Sequence, residues 1–382
     1  MTGTWGTSII VKTHKNAVRA VGNDSYRKCR LTVLREAVLH NLQTIRRITS
    51  KRLIAVIKED GYGIGLGNMY RILRTGGVDF FAVGAPWEAL SLRRMGFSGN
   101  ILLLSPEYSP EVCRNLMEQR IIFMVGNSRQ AETLRQASLG MRIRPRIHLK
   151  IDSGLGRYGF TRENLLTVKF CTLDMEIEGV YTHFASCGKN FRKNVQFQKK
   201  HFDMALQELS ESRIPLCFTH AAASRTLAEM GDLGYDGVRI GSLLLGRETG
   251  GRADFQDAVW LETEICEKKW YPAGELVGYG RNVRLKRDSL IGVVPAGRRD
   301  GLGISRNPQG TLPLLRSAAR SMIARKIPYG KTRDGRPVPI LDSRGMGHTL
   351  VDLTDTGLNI GDTIQFPVNP LLVHPDTERN II

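Results

Sequence analysis

The chain has 382 residues, 41 % of them hydrophobic, which is enough for two ordinary domains or for one large barrel with a smaller companion. The formal charge of +18 is spread along the chain, with only modest clusters such as Lys189–Lys200. Aromatic residues do not interleave with the basic ones and no run is long and apolar enough to cross a bilayer. Specific nucleic-acid binding and a membrane span are therefore not expected, and the charge suits an anionic cofactor or substrate.

Residues 1–25 read as an N-terminal extension. Ile9–Val11 is too short for the apolar core of a signal peptide. Between residues 53 and 241, short apolar runs alternate with helical patterns. The runs are Leu53–Ile57, Phe80–Val83, Ile101–Leu104, Ile121–Val125, Ile147–Ile151, Ile177–Thr182, Leu216–Thr219 and Gly237–Ile240. Met69–Arg74, Pro86–Met95 and Phe197–Glu211 carry apolar residues at helical spacing. Eight strands alternating with helices point to a TIM (β/α)8 barrel, with a doubly wound sheet as the alternative that counting leaves open. After residue 258 the texture changes. Leu290–Val294, Thr349–Leu353 and Asp362–Phe366 sit between Gly, Pro and Asp turns, as in a β domain. The expected division is thus an extension at 1–25, a barrel at 26–258 and a mostly β domain at 259–382.

The six cysteines, Cys29, Cys113, Cys171, Cys187, Cys217 and Cys266, show neither CxxC nor zinc spacing. Reduced thiols in a cytoplasmic protein, with no metal site, are the expectation. The chemistry lies elsewhere. The first run ends in Ile57-Lys58, followed by Glu59-Asp60-Gly61-Tyr62-Gly63-Ile64-Gly65. A lysine directly after a buried strand stands at the mouth of a barrel, where desolvation makes the amine a usable nucleophile. The glycines are spaced GxGxG, not GxGxxG, so a dinucleotide loop is not expected. The fifth run contains His148 and Lys150 and leads through Asp152 to Arg157. The sixth leads to His183, the seventh to His220 and Ser224, and the eighth contains Arg239 before Gly241. Any one of these is ordinarily a cap or a satisfied core residue. Five polar strand ends meeting at one mouth are not.

The segments Ala55–Gly65, His148–Phe160, Thr182–Ala185, His220–Ser224 and Val238–Gly246 resemble the alanine racemase family. So do Val277-Gly278-Tyr279-Gly280, Val294-Pro295-Ala296-Gly297 with Asp300-Gly301, and Met346–Asp355, all in the family's order. The resemblance implies a pyridoxal 5'-phosphate enzyme whose barrel precedes a β domain. It implies a homodimer with shared active sites and an amino acid as small-molecule substrate. Lys58 would hold the cofactor as a Schiff base and move the α-proton on one face. Tyr279, from the partner subunit, would be the base on the other. Tyr62, Ser224, Gly241 and Ser242 would hold the phosphate. Arg239 would face the pyridine nitrogen, with His183 beside it. Arg157 would meet the phenolic oxygen and the substrate carboxylate, and Met346 would complete the carboxylate site. Lys150 resembles a lysine often carbamylated in this family. A simple ion pair with Asp152 or a neighbour is the equal alternative.

Departures from the family cluster at the substrate entrance. Glu59-Asp60-Gly61 replaces Ala-Asn-Ala, and Ala223 replaces an asparagine. Gly188 stands for an acid, Arg298 for a tyrosine, and Ile304 and Ser343 for arginines. Gly345-Met346-Gly347 replaces Cys-Met-Asp, and no entrance tyrosine follows Val368. This pattern favours racemisation or epimerisation with alanine as the default substrate and another amino acid close behind. Arg298 is the residue most suited to select it. A related barrel decarboxylase would need an acceptor-cysteine loop that is not found. A cofactor-binding protein without turnover would not need Tyr279.

Overall fold

The computed structural model describes residues 29–184, 190–304 and 329–382. The N-terminal extension expected at 1–25 and the entrance position Gly188 lie outside these residues. Nine strands carry the chain as far as residue 240: β1 Cys29–Val33, β2 Arg52–Val56, β3 Phe80–Val83, β4 Asn100–Leu103, β5 Ile122–Val125, β6 Arg146–Lys150, β7 Glu176–Tyr181, β8 Thr219–Ala223 and β9 Gly237–Ile240. Strands β2 to β9 pair in parallel and close into an eight-stranded barrel, with β9 returning to β2. Helices follow the strands, as in Leu66–Thr75 after β2 and Pro86–Arg94 after β3. The barrel alternative is therefore the correct one, and the doubly wound sheet is excluded.

Seven of the eight expected runs overlap a barrel strand along most of their length. The seventh is displaced: the strand covers Thr219–Ala223, not Leu216–Thr219. Its sequence, Thr-His-Ala-Ala-Ala, is not an apolar run because its neighbours fill the interior. His220 stacks on Tyr181 with 4.7 Å between centroids and 4° between planes, while Phe218 packs beside His148 and Phe80 below. The lower interior is apolar, with Ile54, Val56, Phe80, Ala82, Leu102 and Ile122 in one cluster. Above it the filling turns polar, and His148, Lys150, His220 and Arg239 are all buried.

The C-terminal residues build a nine-stranded sheet. Its order is Glu267–Tyr271, Ser289–Val294, Thr349–Asp352, Pro337–Arg344, Tyr329–Lys331, Thr363–Phe366, Val259–Glu264, β1 and Glu378–Ile381. The chain thus contributes a strand to this sheet before it enters the barrel. β1 runs antiparallel to Val259–Glu264 and parallel to Glu378–Ile381. At that seam the carboxylate of Glu262 accepts from Thr32, Arg30, Trp260 and Gln365, and these hydrogen bonds outweigh burial and hold its pKa down to about 2. Among the described residues no helix is long and apolar enough to cross a membrane.

Candidate active site

One cavity of about 800 Å³ opens at the C-terminal ends of the barrel strands. Lys58, Tyr62, Lys150, Arg157, His183 and Ser224 line it, and so do Arg239, Gly241 and Ser242. Nine expected site residues from strand ends around the barrel therefore meet in one place, as a parallel barrel arranges them.

Lys58 emerges from β2 into a turn of unusual hand. Glu59, Asp60, Gly61 and Tyr62 all lie at φ between 52 and 63°. Each non-glycine residue there costs about 1–2 kcal/mol, and asparagine, aspartate and glycine tolerate the region best. Asp60 and Gly61 thus suit the turn locally. It is then tied down: Asp60 Oδ1 accepts the N–H of Leu66 at 2.7 Å, and Asp60 O accepts that of Gly65 at 2.9 Å. From the far end of the chain, Pro370 O stands so close that a Cβ on Gly63 would lie 2.3 Å from it. Arg379 Nε donates to Gly63 O at 3.1 Å. Asn369, Pro370 and Leu371 line the cavity beside this turn, a contribution that local sequence patterns did not reveal.

Tyr62 points its hydroxyl at the backbone of Gly241, where a Cβ would be only 2.1 Å away. Any Cβ there would displace the Tyr62 ring. Ser224 Oγ accepts the N–H groups of Gly241 and Leu243, both at 3.2 Å, and so joins the loops after β8 and β9. The Ser242 hydroxyl donates to Glu248, which also lines the cavity. Burial, then the charges of Glu248 and Glu59, push the Tyr62 phenol up to about 12, so it remains a donor.

At the inner end Arg239 is fully enclosed. It donates to the carbonyls of Thr182 (2.6 Å), His220 (3.0 Å) and Ala221 (3.3 Å), to His220 Nδ1 (2.8 Å) and, more loosely, to His183 Nδ1 (3.4 Å). Burial lowers its pKa to about 10, which leaves it charged at neutral pH. Lys150 is also buried. Its Nζ donates to Ile151 O at 3.3 Å and lies 5.0 Å from the Tyr181 ring centroid. Burial, then Arg239 and Arg157, hold the ammonium pKa well below its ordinary value. The ion pair between Lys150 and Asp152 that the sequence left open does not form. Asp152 Oδ1 instead accepts the N–H groups of Gly154, Leu155 and Gly156 at 2.9, 2.9 and 3.2 Å, shaping the loop that presents Arg157. Among the described residues no carboxylate pairs with Lys150 or Arg239. The inner end of the cavity therefore presents a charged guanidinium and an amine with no carboxylate beside them.

Tyr279, Met346 and Arg298 do not line this cavity. Tyr279 and Met346 are 80 % and 73 % exposed and share a second cleft of about 530 Å³ with His348. Arg298 is exposed beside them. Its N–H donates to Gly345 O at 3.1 Å, and that of Arg299 donates to Met346 O at 3.0 Å. Within one chain, then, the expected opposite-face tyrosine and carboxylate-binding backbone form a separate group.

Residues 33–249 match the family model "Alanine racemase, N-terminal domain", and residues 258–368 match "Alanine racemase, C-terminal domain". The chain belongs to the alanine racemase family. It is 29 % identical over 355 residues to alanine racemase 1 of Caldanaerobacter subterraneus subsp. tengcongensis, covering 89 % of this chain and 86 % of that one. It is 34 % identical over 282 residues to a serine/alanine racemase of Enterococcus gallinarum, covering 70 % of this chain and 39 % of the larger relative. The fold matches the crystal structure of alanine racemase from a D-cycloserine-producing Streptomyces lavendulae with a TM-score of 0.77, at 22 % identity over 94 % of this chain and 97 % of that one.

Proposed function

We propose that this member of the alanine racemase family is a pyridoxal 5'-phosphate-dependent amino-acid racemase. In this reading it moves the α-proton with Lys58 on one face and Tyr279 of a second copy on the other, in a cytoplasmic homodimer with shared sites. The observation that carries the reading is the cavity itself: an amine at the mouth and, behind it, the buried Arg239 guanidinium and Lys150 amine, neither with a carboxylate partner among the described residues. A buried guanidinium is costly unless an anion joins it. The residues fit the cofactor. Tyr62, Ser224, Ser242 and the backbone of Gly241 would hold its phosphate, in a cradle that a Cβ on Gly241 would fill. Arg239 would face its ring nitrogen, with His183 beside it, and Arg157 its phenolic oxygen.

When bound, the cofactor supplies an electron sink for the negative charge left at Cα. The chain's own residues do the rest. Lys58 would hold the group covalently and carry a proton on its side. Arg157, with the backbone N–H of Met346 from the second copy, would orient the substrate carboxylate. Arg239, charged at neutral pH, donates and cannot accept, so it would leave the ring nitrogen unprotonated and favour return of the proton over deeper chemistry. Lys150, low in pKa and flanked by arginines, would take up carbon dioxide and release a proton, leaving a carbamate between Arg157 and Arg239.

Alanine is the default substrate. A different amino acid is favoured by Arg298, an exposed guanidinium beside Met346 that makes no ion pair among the described residues. Arg298→Tyr should lower kcat/KM for the native substrate by about tenfold more than for alanine. An equal factor on every amino acid would remove Arg298 from substrate choice. The reading as a whole is tested by incubating the cofactor-loaded protein with L-amino acids in heavy water. Deuterium at Cα and D-isomers should appear for at least one of them, and borohydride should leave a pyridoxyl label on Lys58. A protein that takes no label after pyridoxal phosphate is added does not have this function.

A further inference from the structure

Glu88 lies outside the cavity-lining set, yet it reaches the turn that carries Lys58. It is the third residue of the helix Pro86–Arg94 and is 1 % exposed. Its Oε2 accepts the N–H groups of Gly84 at 2.7 Å and Ala85 at 3.0 Å. That half of the contact is ordinary helix capping, a side chain closing back on the residues before its own helix. Its Oε1 does something that capping does not require. It accepts the N–H of Asp60 at 2.9 Å, across from the turn that follows β2.

Asp60 is two residues from Lys58 and lies at φ 52°. Gly84 is the other wall of the lysine's exit: a Cβ there would stand 3.2 Å from Lys58 Cβ and 3.5 Å from Glu88 Oε2. One buried carboxylate therefore joins the loops after β2 and β3, between which Lys58 emerges. We infer that Glu88 is a positioning residue for Lys58. It holds Asp60 in the left-handed turn and so sets where the amine enters the cavity. The inference rests on the proposed role of Lys58. Its physical basis is that a buried, charged acceptor makes hydrogen bonds stronger than a neutral one. The turn is locally unfavourable, so loss of that bond removes one of the contacts that hold Asp60 in it.

Capping alone and positioning predict different things for Glu88→Gln. An amide has the same shape but only one acceptor atom. Two N–H groups converge on Oε2 and one meets Oε1, so the amide oxygen should stay with Gly84 and Ala85. Its NH2 then faces the N–H of Asp60, donor against donor. The helix cap survives and the cross-loop bond breaks. In the full chain loaded with pyridoxal phosphate, exchange of the Asp60 amide should speed up about tenfold to a hundredfold, while the Gly84 and Ala85 amides stay protected. kcat on the best substrate should fall by about tenfold or more with KM nearly unchanged, and borohydride labelling of Lys58 should slow. If the Glu88→Gln variant does not fold, Glu88→Asp makes the same cut, because it keeps the charge and is one methylene short of Asp60.

Wild-type exchange at Asp60 in the variant overturns the inference. So does parallel loss of protection at all three amides with no separate change in kcat, which is the signature of capping alone. If the wild-type protein takes no label at Lys58, the cofactor reading is what fails. Exchange at Asp60, measured without cofactor, then decides whether the carboxylate holds the turn.

Discussion

Arg239 can only donate, so the His220 Nδ1 that faces it at 2.8 Å carries no proton. The neutral ring then bears its proton on Nε2 and donates it to His148 Nδ1 at 2.9 Å. His148 is in turn neutral with its proton on Nε2. Burial, followed by the charge of Arg239, holds both rings below their ordinary pKa, His148 at about 3. His183 is shifted in the same direction by the same causes. Unfolded histidines titrate near 6.5, so below that pH the unfolded chain binds protons that the folded chain refuses. The stability these rings contribute is complete above about pH 6.5 and declines as pH falls towards about 3, the folded value of His148. At about pH 5 a single such ring costs about 2 kcal/mol. Denaturant midpoints measured at about pH 7.5 and about pH 5 should therefore differ steeply. His148→Asn should be less stable at the higher pH yet flatter between the two. A variant with the wild-type slope would show that His148 does not carry this dependence.

At the scale of elements, the barrel was legible because most of its strands are short apolar runs that end where a polar residue begins. β2 stops just before Lys58, and β6 stops at Lys150. The same logic misplaced β8, whose alanines and histidine are small and polar because Tyr181 and Phe218 occupy the space around them. The Lys58 turn read as a glycine-rich loop. Its left hand was not visible, because φ above zero at Glu59 and Tyr62 is imposed by distant partners and not by local preference. Those partners are the carboxylate of Glu88, 28 residues beyond Asp60, and the segment at Pro370. A buried glutamate in the first turn of a helix reads from sequence as a cap, and it is one. Its second bond runs to a backbone N–H, and backbone groups leave no trace in residue type. Arg239, Lys150 and His183 were found because charge and imidazole at strand ends are chemically conspicuous. The pairing of β1 with Val259–Glu264 and Glu378–Ile381 was not, since no short-range pattern records which sheet a strand joins.

Across the whole molecule, the residues expected to act together stand in two places. Lys58, Arg157 and Arg239 line the barrel cavity, while Tyr279 and Met346 project from the β domain beside a second cleft, largely exposed. An exposed tyrosine on the β domain and a barrel cavity that this tyrosine does not line within its own chain would complement each other if two copies pair about a twofold axis. Each copy then offers its β-domain cleft to the other's barrel mouth. The arrangement makes a prediction that no single-chain site can satisfy. Lys58→Ala removes the amine from its own cavity but leaves a sound Tyr279 to lend. Tyr279→Phe leaves a sound cavity but lends a phenyl ring. Each homodimer has two damaged sites and should be nearly inactive. Mixed dimers have one site with both defects and one with neither. If subunits exchange freely, about half the dimers are mixed, and the mixture should regain about a quarter of wild-type activity. Exchange should be followed directly, by native mass spectrometry of differently tagged chains, alongside the activity. Confirmed mixed dimers without recovered activity would reject the shared site and require the opposite-face base to come from the barrel's own chain.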